Sequence, residues 1–539
     1  MKPADQQLKS MGAVATSTAA SGVLGLLSNA LIAANFGRGI ATDAFFMAQS
    51  SLRVFAKFFQ TGPLGQIVMP IFLEARRGDV SRANRYASNI LTVTLVICGA
   101  FSLVLWLVAP WVVGIIAPGF TGDQRILTTA LTRLFVPVIF CTILINLLTT
   151  LMRAFHHFGF AEWVARLPVV LLITVLVWGA GRWNIDSLVW ALIAGSLVQV
   201  GLLWIGTRRI GVPYRPVFDR YQPEFRTTWQ RLTPFFLSSA ASQMQLIVHR
   251  MVASGQPVGT LSAFTYADRM VDFMIGFLGV IPMVLFPQFI QEVLAGDRAQ
   301  FRRRLERVVV LTSLVAFPVA VALIVFSKPV VGLLFQRGRF DALATQETAL
   351  ALSWLAVGLF AWNVWGLCKT VAYAVQRPLI VNRMVIGTAM GVSLLSLTIG
   401  RWWGLAGLAI TWAVIPYLMA TGYLWQLRCE VPGIHRVVWN SQFFRVVAAS
   451  LGMGLMCWAL RETVWIPWLA RLGSWSQAIG VGGLVLSGMA GYWLLLGALR
   501  VEARHEMASL ARRSLGLSRQ MPVTPVTPQR EHAVPVGLS

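Results

Sequence analysis

Stretches of twenty or more mainly apolar residues recur along the whole 539-residue chain, and nothing constrains its fold more. They fall at about 12–36, 41–73, 86–117, 127–152, 160–181 and 185–207. After a polar stretch at 208–230 they resume at about 231–253, 258–291, 305–335, 343–374, 379–400, 402–427, 441–460 and 476–499. A bilayer core needs ~20 such residues per helical span, and only helices and closed barrels satisfy their backbone groups in hydrocarbon. Fourteen long runs without period-two alternation predict an all-α polytopic membrane protein. Composition agrees: 56% of residues are hydrophobic, 12% are charged, and mean hydropathy is +0.68. Soluble chains average about 25% charged, so an ordinary soluble enzyme, a disordered chain and a collagen-like fibre are excluded. The loops between spans are short and leave no room for a large catalytic domain.

The formal charge of +24 would suggest a nucleic-acid partner in a soluble protein. Here the basic residues alternate between loops, which is how a membrane protein fixes its orientation, and no nucleic acid is implied. With the first residues inside, 29 Lys and Arg fall in loops on that side and eight on the other. One miscounted span would destroy that alternation, so both termini are expected in the cytoplasm. Lys2 and Lys9 precede an apolar run that continues to Phe36, which reads as an uncleaved first span and not a signal peptide.

The chain also repeats itself. PIFLEARRGDVSRANR from Pro70 precedes an apolar helix and then PWVVGIIAPGF from Pro110; PQFIQEVLAGDRAQFRR from Pro287 precedes another and then PVVGLLFQRGRF from Pro329. An even number of spans separates the copies. The expectation is two pseudo-symmetric six-helix lobes, 1–207 and 231–428, related by an axis along the membrane normal, the plan that frames a central site in many transporters. Residues 208–230 would link the lobes, 429–500 would add spans thirteen and fourteen, and 501–539 would form a partly disordered cytoplasmic tail. Prolines within the spans (Pro63, Pro70, Pro137, Pro282, Pro287, Pro416) predict kinks.

Eight basic residues remain inside spans: Arg53, Lys57, Arg133, Arg166, Arg250, Arg269, Lys328 and Lys369. Arg133, Arg166 and Lys328 lie near span ends and are expected to snorkel. A charge near mid-membrane costs at least ~2.5–3.5 kcal/mol on insertion scales, so the others should face a polar cavity or a partner. Arg53 and Lys57 share a face of the second span with Asp43 nearer its outer end, and they repel unless an anion lies between them. The eighth span carries Asp268, Arg269 and Asp272, with His249 and Arg250 on the seventh and Lys369 on the tenth. Each residue alone reads equally as an internal ion pair locking helices together. As a set, the excess of cations points to a cavity for an anionic group, phosphate above all, because Arg offers a planar fork and Lys a point charge.

No nucleotide loop, metalloprotease, nucleophile-elbow or dinucleotide motif stands in a suitable context. Five scattered cysteines contain no CxxC pair, so neither a disulfide framework nor a zinc site is indicated. No cofactor and no enzymatic activity are expected. Trp106, Trp111, Trp402, Trp403, Trp465, Trp468 and Trp475 cluster at span ends, as headgroup-level belts do.

GRGIATDAFFMA (Gly37 to Ala48), GPLGQIVMPIFLEA (Gly62 to Ala75) and YADRMVDFMIGFLGV (Tyr266 to Val280) resemble the MurJ/MviN family of lipid II flippases, within the multidrug/oligosaccharidyl-lipid/polysaccharide exporter superfamily. The resemblance runs through most of the first nine spans. It implies two six-helix lobes around a cationic cavity, a lipid-tail groove from the last two helices, and a bacterial inner-membrane location. Asp43 matches the family's second-span aspartate, Arg269 its cavity arginine, and Lys57 a place where the family often has arginine. Gly22 and Ser28 stand where the family has first-helix arginines, Asn29 where it has aspartate, and Ala56 at another second-span arginine.

The expected function is therefore transfer of an undecaprenyl-diphosphate-linked glycan precursor across the membrane. Arg53, Lys57 and Arg269 would hold the diphosphate, Asp43, Asp268 and Asp272 would shape the site, and Arg250 and Lys369 would complete it. The partners are the lipid-linked oligosaccharide and anionic membrane lipids; the sequence leaves the oligomeric state open. An exopolysaccharide or O-antigen-unit flippase is the alternative the missing arginines raise. A drug/cation antiporter would want acids in the cavity, a glycan polymerase would need a large outer loop, and a scaffold would use the buried charges only for folding.

Overall fold

The computed structural model describes residues 3–59, 67–155, 157–179, 182–279, 298–375, 377–428, 433–434, 440–465, 475–501 and 504. Among the described residues the chain is helical, without strands. The first half runs α1 (Pro3–Phe36), α2 (Ile40–Phe59), α3 (Met69–Gly78), α4 (Val80–Ile116), α5 (Gly122–Ala154), α6 (Phe158–Val164), α7 (Leu167–Trp178) and α8 (Asp186–Arg209). The second runs α9 (Pro223–Ser254), α10 (Thr260–Leu278), α11 (Arg298–Val325), α12 (Ser327–Phe335), α13 (Ala342–Val357), α14 (Leu359–Ala374), α15 (Pro378–Leu395) and α16 (Gly404–Leu427). The last two are α17 (Ser441–Leu460) and α18 (Trp475–Ala498). Several starts follow from capping: the side chains of Asp79, Asp341 and Asn440 accept from Ser81 N, Ala344 N and Gln442 N, meeting donors that a helix end leaves free.

Each of the fourteen apolar segments is mostly helical over its described residues. Among the described residues, eight helices are long and apolar enough to cross a bilayer unaided, or nine if the bent pair α13–α14 counts as one. Those that fall short include α2 and α10, and the reason is chemical: Asp43, Arg53 and Lys57 interrupt the one, Asp268, Arg269 and Asp272 the other.

Pro70 is the second residue of α3, and residues 60–66, between α2 and α3, lie outside the described residues. Two boundaries differ from expectation. The linker is shorter than its polar run, because α8 continues to Arg209 and α9 begins at Pro223. The tenth span is broken at Gly358 into α13 and α14, bent by 43°. A Cβ at Gly358 would press on the backbone of Ala413 in α16, so the break lets two helices touch main chain to main chain. Its counterpart in the first half, α5, stays continuous around Pro137. Pro63, Pro282 and Pro287 lie outside the described residues.

Packing repeats as the sequence does. In the first half α5 packs on α2, α4 and α8, and α7 on α1 and α8; in the second, α13–α14 pack on α10, α11 and α16, and α15 on α9 and α16. The halves meet where α1 and α2 touch α10 and where α2 and α4 touch α9. Outside the repeat, α17 packs on α11 and α18.

The linker is held to α4 by side chains that read its backbone. Asn89, fully buried, donates to Asp219 O (2.7 Å) and to Gln222 Oε1 (3.0 Å), and accepts from Asp219 N (3.1 Å). Around it Arg85 pairs with Asp219 (3.2 Å), Arg82 pairs with Glu224, and Tyr86 shares a hydrogen bond with Thr228 (2.6 Å). Asn89→Ala leaves buried backbone groups without partners, at ~1–3 kcal/mol. Limited proteolysis of this variant is expected to nick residues 210–222 at least about fivefold faster than wild type, and unchanged nicking would contradict the clamp.

Candidate functional site

The charged spans converge on α10, which touches α1, α2, α9 and α14. Its first turn is built from the other half of the chain. Asp43 on α2 is 2% exposed, and its two carboxylate oxygens accept from the backbone N–H of Gly259 (2.6 Å) and Ser262 (2.8 Å). An acid at the N-terminus of a helix meets unpaired donors and the positive end of the dipole. These two bonds tie α2 to the start of α10, joining the two halves of the chain.

Other contacts complete a seal at this end of the bundle. Arg339 N donates to Ala34 O (2.8 Å), the buried Tyr266 hydroxyl donates to Gly37 O (3.1 Å), Ser254 Oγ accepts from Gly119 N (3.1 Å), and Arg38 pairs with Glu347. Gly37 and Gly338 sit at φ +65° and +59°, and a Cβ on either would strike main-chain atoms of the opposite lobe, Arg339 and Ala34 respectively. Only glycine fits both conditions. Gly338→Ala is expected to open the seal, read as faster alkylation of a cysteine placed at Gly255 in a cysteine-free background; equal rates would contradict the close approach.

Arg269 lies nine residues into α10, ~14 Å along its axis from the capped end. Its Nη1 is 3.8 Å from Asp272 Oδ2; the arginine side chain is 25% exposed and the aspartate 55%. A contact that long and open leaves most of the guanidinium's donors available to a ligand. Arg250 on α9 is buried, donates from Nη1 to Thr265 Oγ1 (3.3 Å), lies over Phe264, and feels the charges of Asp268 and Asp272. Arg53 on α2 donates to Gln49 Oε1 (2.7 Å), one turn back on its own helix. Lys369 stands exposed on α14. The side chain of Lys57 lies outside the described residues.

The structure therefore brings Arg250, Asp268, Arg269 and Asp272 together on adjoining helices, with Arg53 and Lys369 on helices that flank α10. Sequence reasoning missed the backbone partners of Asp43 and the enclosure of His249. That ring lies between Phe264 and Trp412, with Nδ1 3.3 Å from Ser396 Oγ. The positions that depart from the family pattern are quiet: Ser28 Oγ and Asn29 Nδ2 donate to Gly25 O of their own helix, and a Cβ at Gly22 would overlap the Phe273 ring of α10. Ala56 lies where side chains are not described.

Two repeated helical lobes that meet along charged spans, sealed at one end, define a pseudo-symmetric polytopic membrane protein, the architecture of carriers that open alternately to either side. The profile of the family described as "Lipid II flippase MurJ" matches residues 32–472, and the chain belongs to that family. Among curated relatives, a probable lipid II flippase MurJ of Rhizobium tropici is 25% identical over 502 residues, 89% of this chain and 92% of its own. The lipid II flippase MurJ of Burkholderia cenocepacia is 26% identical over 461 residues, 83% and 89% of the two chains. Among solved structures, a lipid II flippase MurJ in an inward closed conformation superposes with TM-score 0.74 at 17% identity, covering 93% of this chain and 98% of that one. An inward-facing multidrug resistance MATE family transporter of the MOP superfamily gives 0.60 at 15% identity, covering 77% and 96%.

Proposed function

We propose that the chain is a flippase that carries an undecaprenyl-diphosphate-linked glycan precursor, of the lipid II kind, from the inner to the outer leaflet of the bacterial inner membrane. The observation that carries this reading is the open pairing of Arg269, one-quarter exposed beside a half-exposed Asp272, on a helix otherwise packed among apolar helices. The diphosphate accepts from Arg269, with Arg53, Lys57, Arg250 and Lys369 adding positive charge around it. Asp268 and Asp272 keep the cations from collapsing onto one another while the site is empty. The lipid tail stays in the bilayer.

Residues 1–207 and 231–428 act as the two moving halves, with both termini and the linker in the cytoplasm. On that orientation the seal around Asp43 closes the outer face, so the headgroup enters from the cytoplasm. Rocking breaks the seal and releases the headgroup outward. The work falls to binding and motion, and no residue is asked to make or break a covalent bond.

Depletion in the native cell tests the cargo. Lipid II is expected to accumulate in the inner leaflet and growth to fail. Accumulation of an exopolysaccharide or O-antigen unit with normal growth would replace this cargo with the alternative.

A further inference from the structure

On the flank of the first lobe, away from the seal, α4, α5 and α8 part around a crevice of about 650 Å³ lined by Ser102, Trp106, Arg133, Pro137, Phe140 and Trp190. The volume is that of a small-molecule site. Leu103, Trp106 and Trp190 are exposed along these spans, so the crevice opens toward lipid. Trp190 is four residues from the start of α8, ~6 Å along the helix, which places the mouth near headgroup level.

Four polar groups interrupt an otherwise apolar wall, and prolines deprive two of them, both main-chain carbonyls, of their usual helical N–H. Pro110 has no N–H to give the carbonyl of Trp106 four residues earlier; Arg133 Nε supplies one instead, at 3.3 Å, with its guanidinium carbon 5.1 Å from the Trp106 ring centroid. Pro137 likewise withholds the N–H that would bond the carbonyl of Arg133 itself. Ser102 Oγ is enclosed without a hydrogen-bond partner. The contact to Trp106 uses one of five guanidinium donors. A lipid-facing cation costs free energy until an anion joins it.

We propose that this crevice binds an anionic glycerophospholipid whose headgroup carries hydroxyls. The phosphodiester accepts from the guanidinium of Arg133. A headgroup hydroxyl meets the Arg133 carbonyl or Ser102 Oγ, and an acyl chain lies against Phe140 and Trp190. Snorkelling, the role the sequence suggested for Arg133, does not explain the unpartnered Ser102 hydroxyl. A zwitterionic headgroup would bring its own cation up to Arg133 and bind less well. The site is independent of the proposed cargo.

Native mass spectrometry of the full chain in detergent, titrated separately with phosphatidylglycerol, phosphatidylethanolamine and phosphatidylcholine, tests this. Phosphatidylglycerol is expected to be retained about tenfold better than phosphatidylcholine, and Arg133→Gln should erase the difference. Ser102→Ala and Pro137→Ala, which leave the guanidinium in place, should each lower retention of phosphatidylglycerol about threefold and serve if Arg133→Gln fails to fold. Equal retention of the three lipids, or a preference that survives Arg133→Gln, would overturn the site. Unchanged retention in both milder variants would overturn it too.

Discussion

Asp43→Asn breaks the seal between the lobes. The amide keeps one acceptor and turns an NH₂ toward the second of the two backbone N–H groups that the carboxylate now serves, Gly259 and Ser262. A charge-assisted bond is lost and a buried donor is stranded, costing ~1.5–3 kcal/mol. At ~1.4 kcal/mol per decade that shifts the closed–open balance by about ten- to a hundredfold. The remaining contacts, from Tyr266 to Gly37 and from Arg339 to Ala34, do not replace a cap on α10. Spin labels on the exposed residues Asp123 and Gln346, one on each lobe at the sealed end, report the change. Wild type should give one dominant short distance and Asp43→Asn a longer, broader distribution. Identical distributions would mean that Asp43 does not hold the lobes together.

Arg269→Gln acts on the ligand and spares the fold. Its contact with Asp272 is long and half open to solvent, the kind of pair worth ~0–1 kcal/mol, so thermal unfolding should move by no more than a few degrees. A charged hydrogen bond to a diphosphate is worth ~1.5–3 kcal/mol, so affinity for a polyprenyl diphosphate should fall about ten- to a hundredfold. Arg269→Lys keeps the charge without the planar fork and should recover part of that loss. Binding unchanged in Arg269→Gln, with the fold intact, would remove this arginine from the site.

The architecture was legible because a bilayer leaves little choice. Runs of apolar residues set the order of the helical segments, and the PIFLEARR/PQFIQEVL repeat announced the matching partners of α5 and α13–α14. What stayed hidden depends on main chain. Asp43 looked like a cavity ligand because a carboxylate in hydrocarbon needs a partner, yet the partners are N–H groups more than two hundred residues away. Backbone donors carry no signature in the letters. Gly37 and Gly338 could be read only as breaks until their positive φ angles and opposing carbonyls were known. The charges of α10 were visible as anomalies, but that Arg250 rests on Thr265 and Phe264 while Arg269 stands open depends on how α9 and α10 turn against each other.

The central claim is that the cations around α10 hold a diphosphate and that the moving halves carry it across. The direct measurement is translocation of lipid II in proteoliposomes, read by its accessibility at the far leaflet, for wild type and for the combined variant Arg53→Gln, Arg269→Gln, Lys369→Gln. Wild type should deliver the lipid, and the folded triple variant should neither bind nor move it above protein-free vesicles. A correctly inserted triple variant that transports at the wild-type rate would contradict the account.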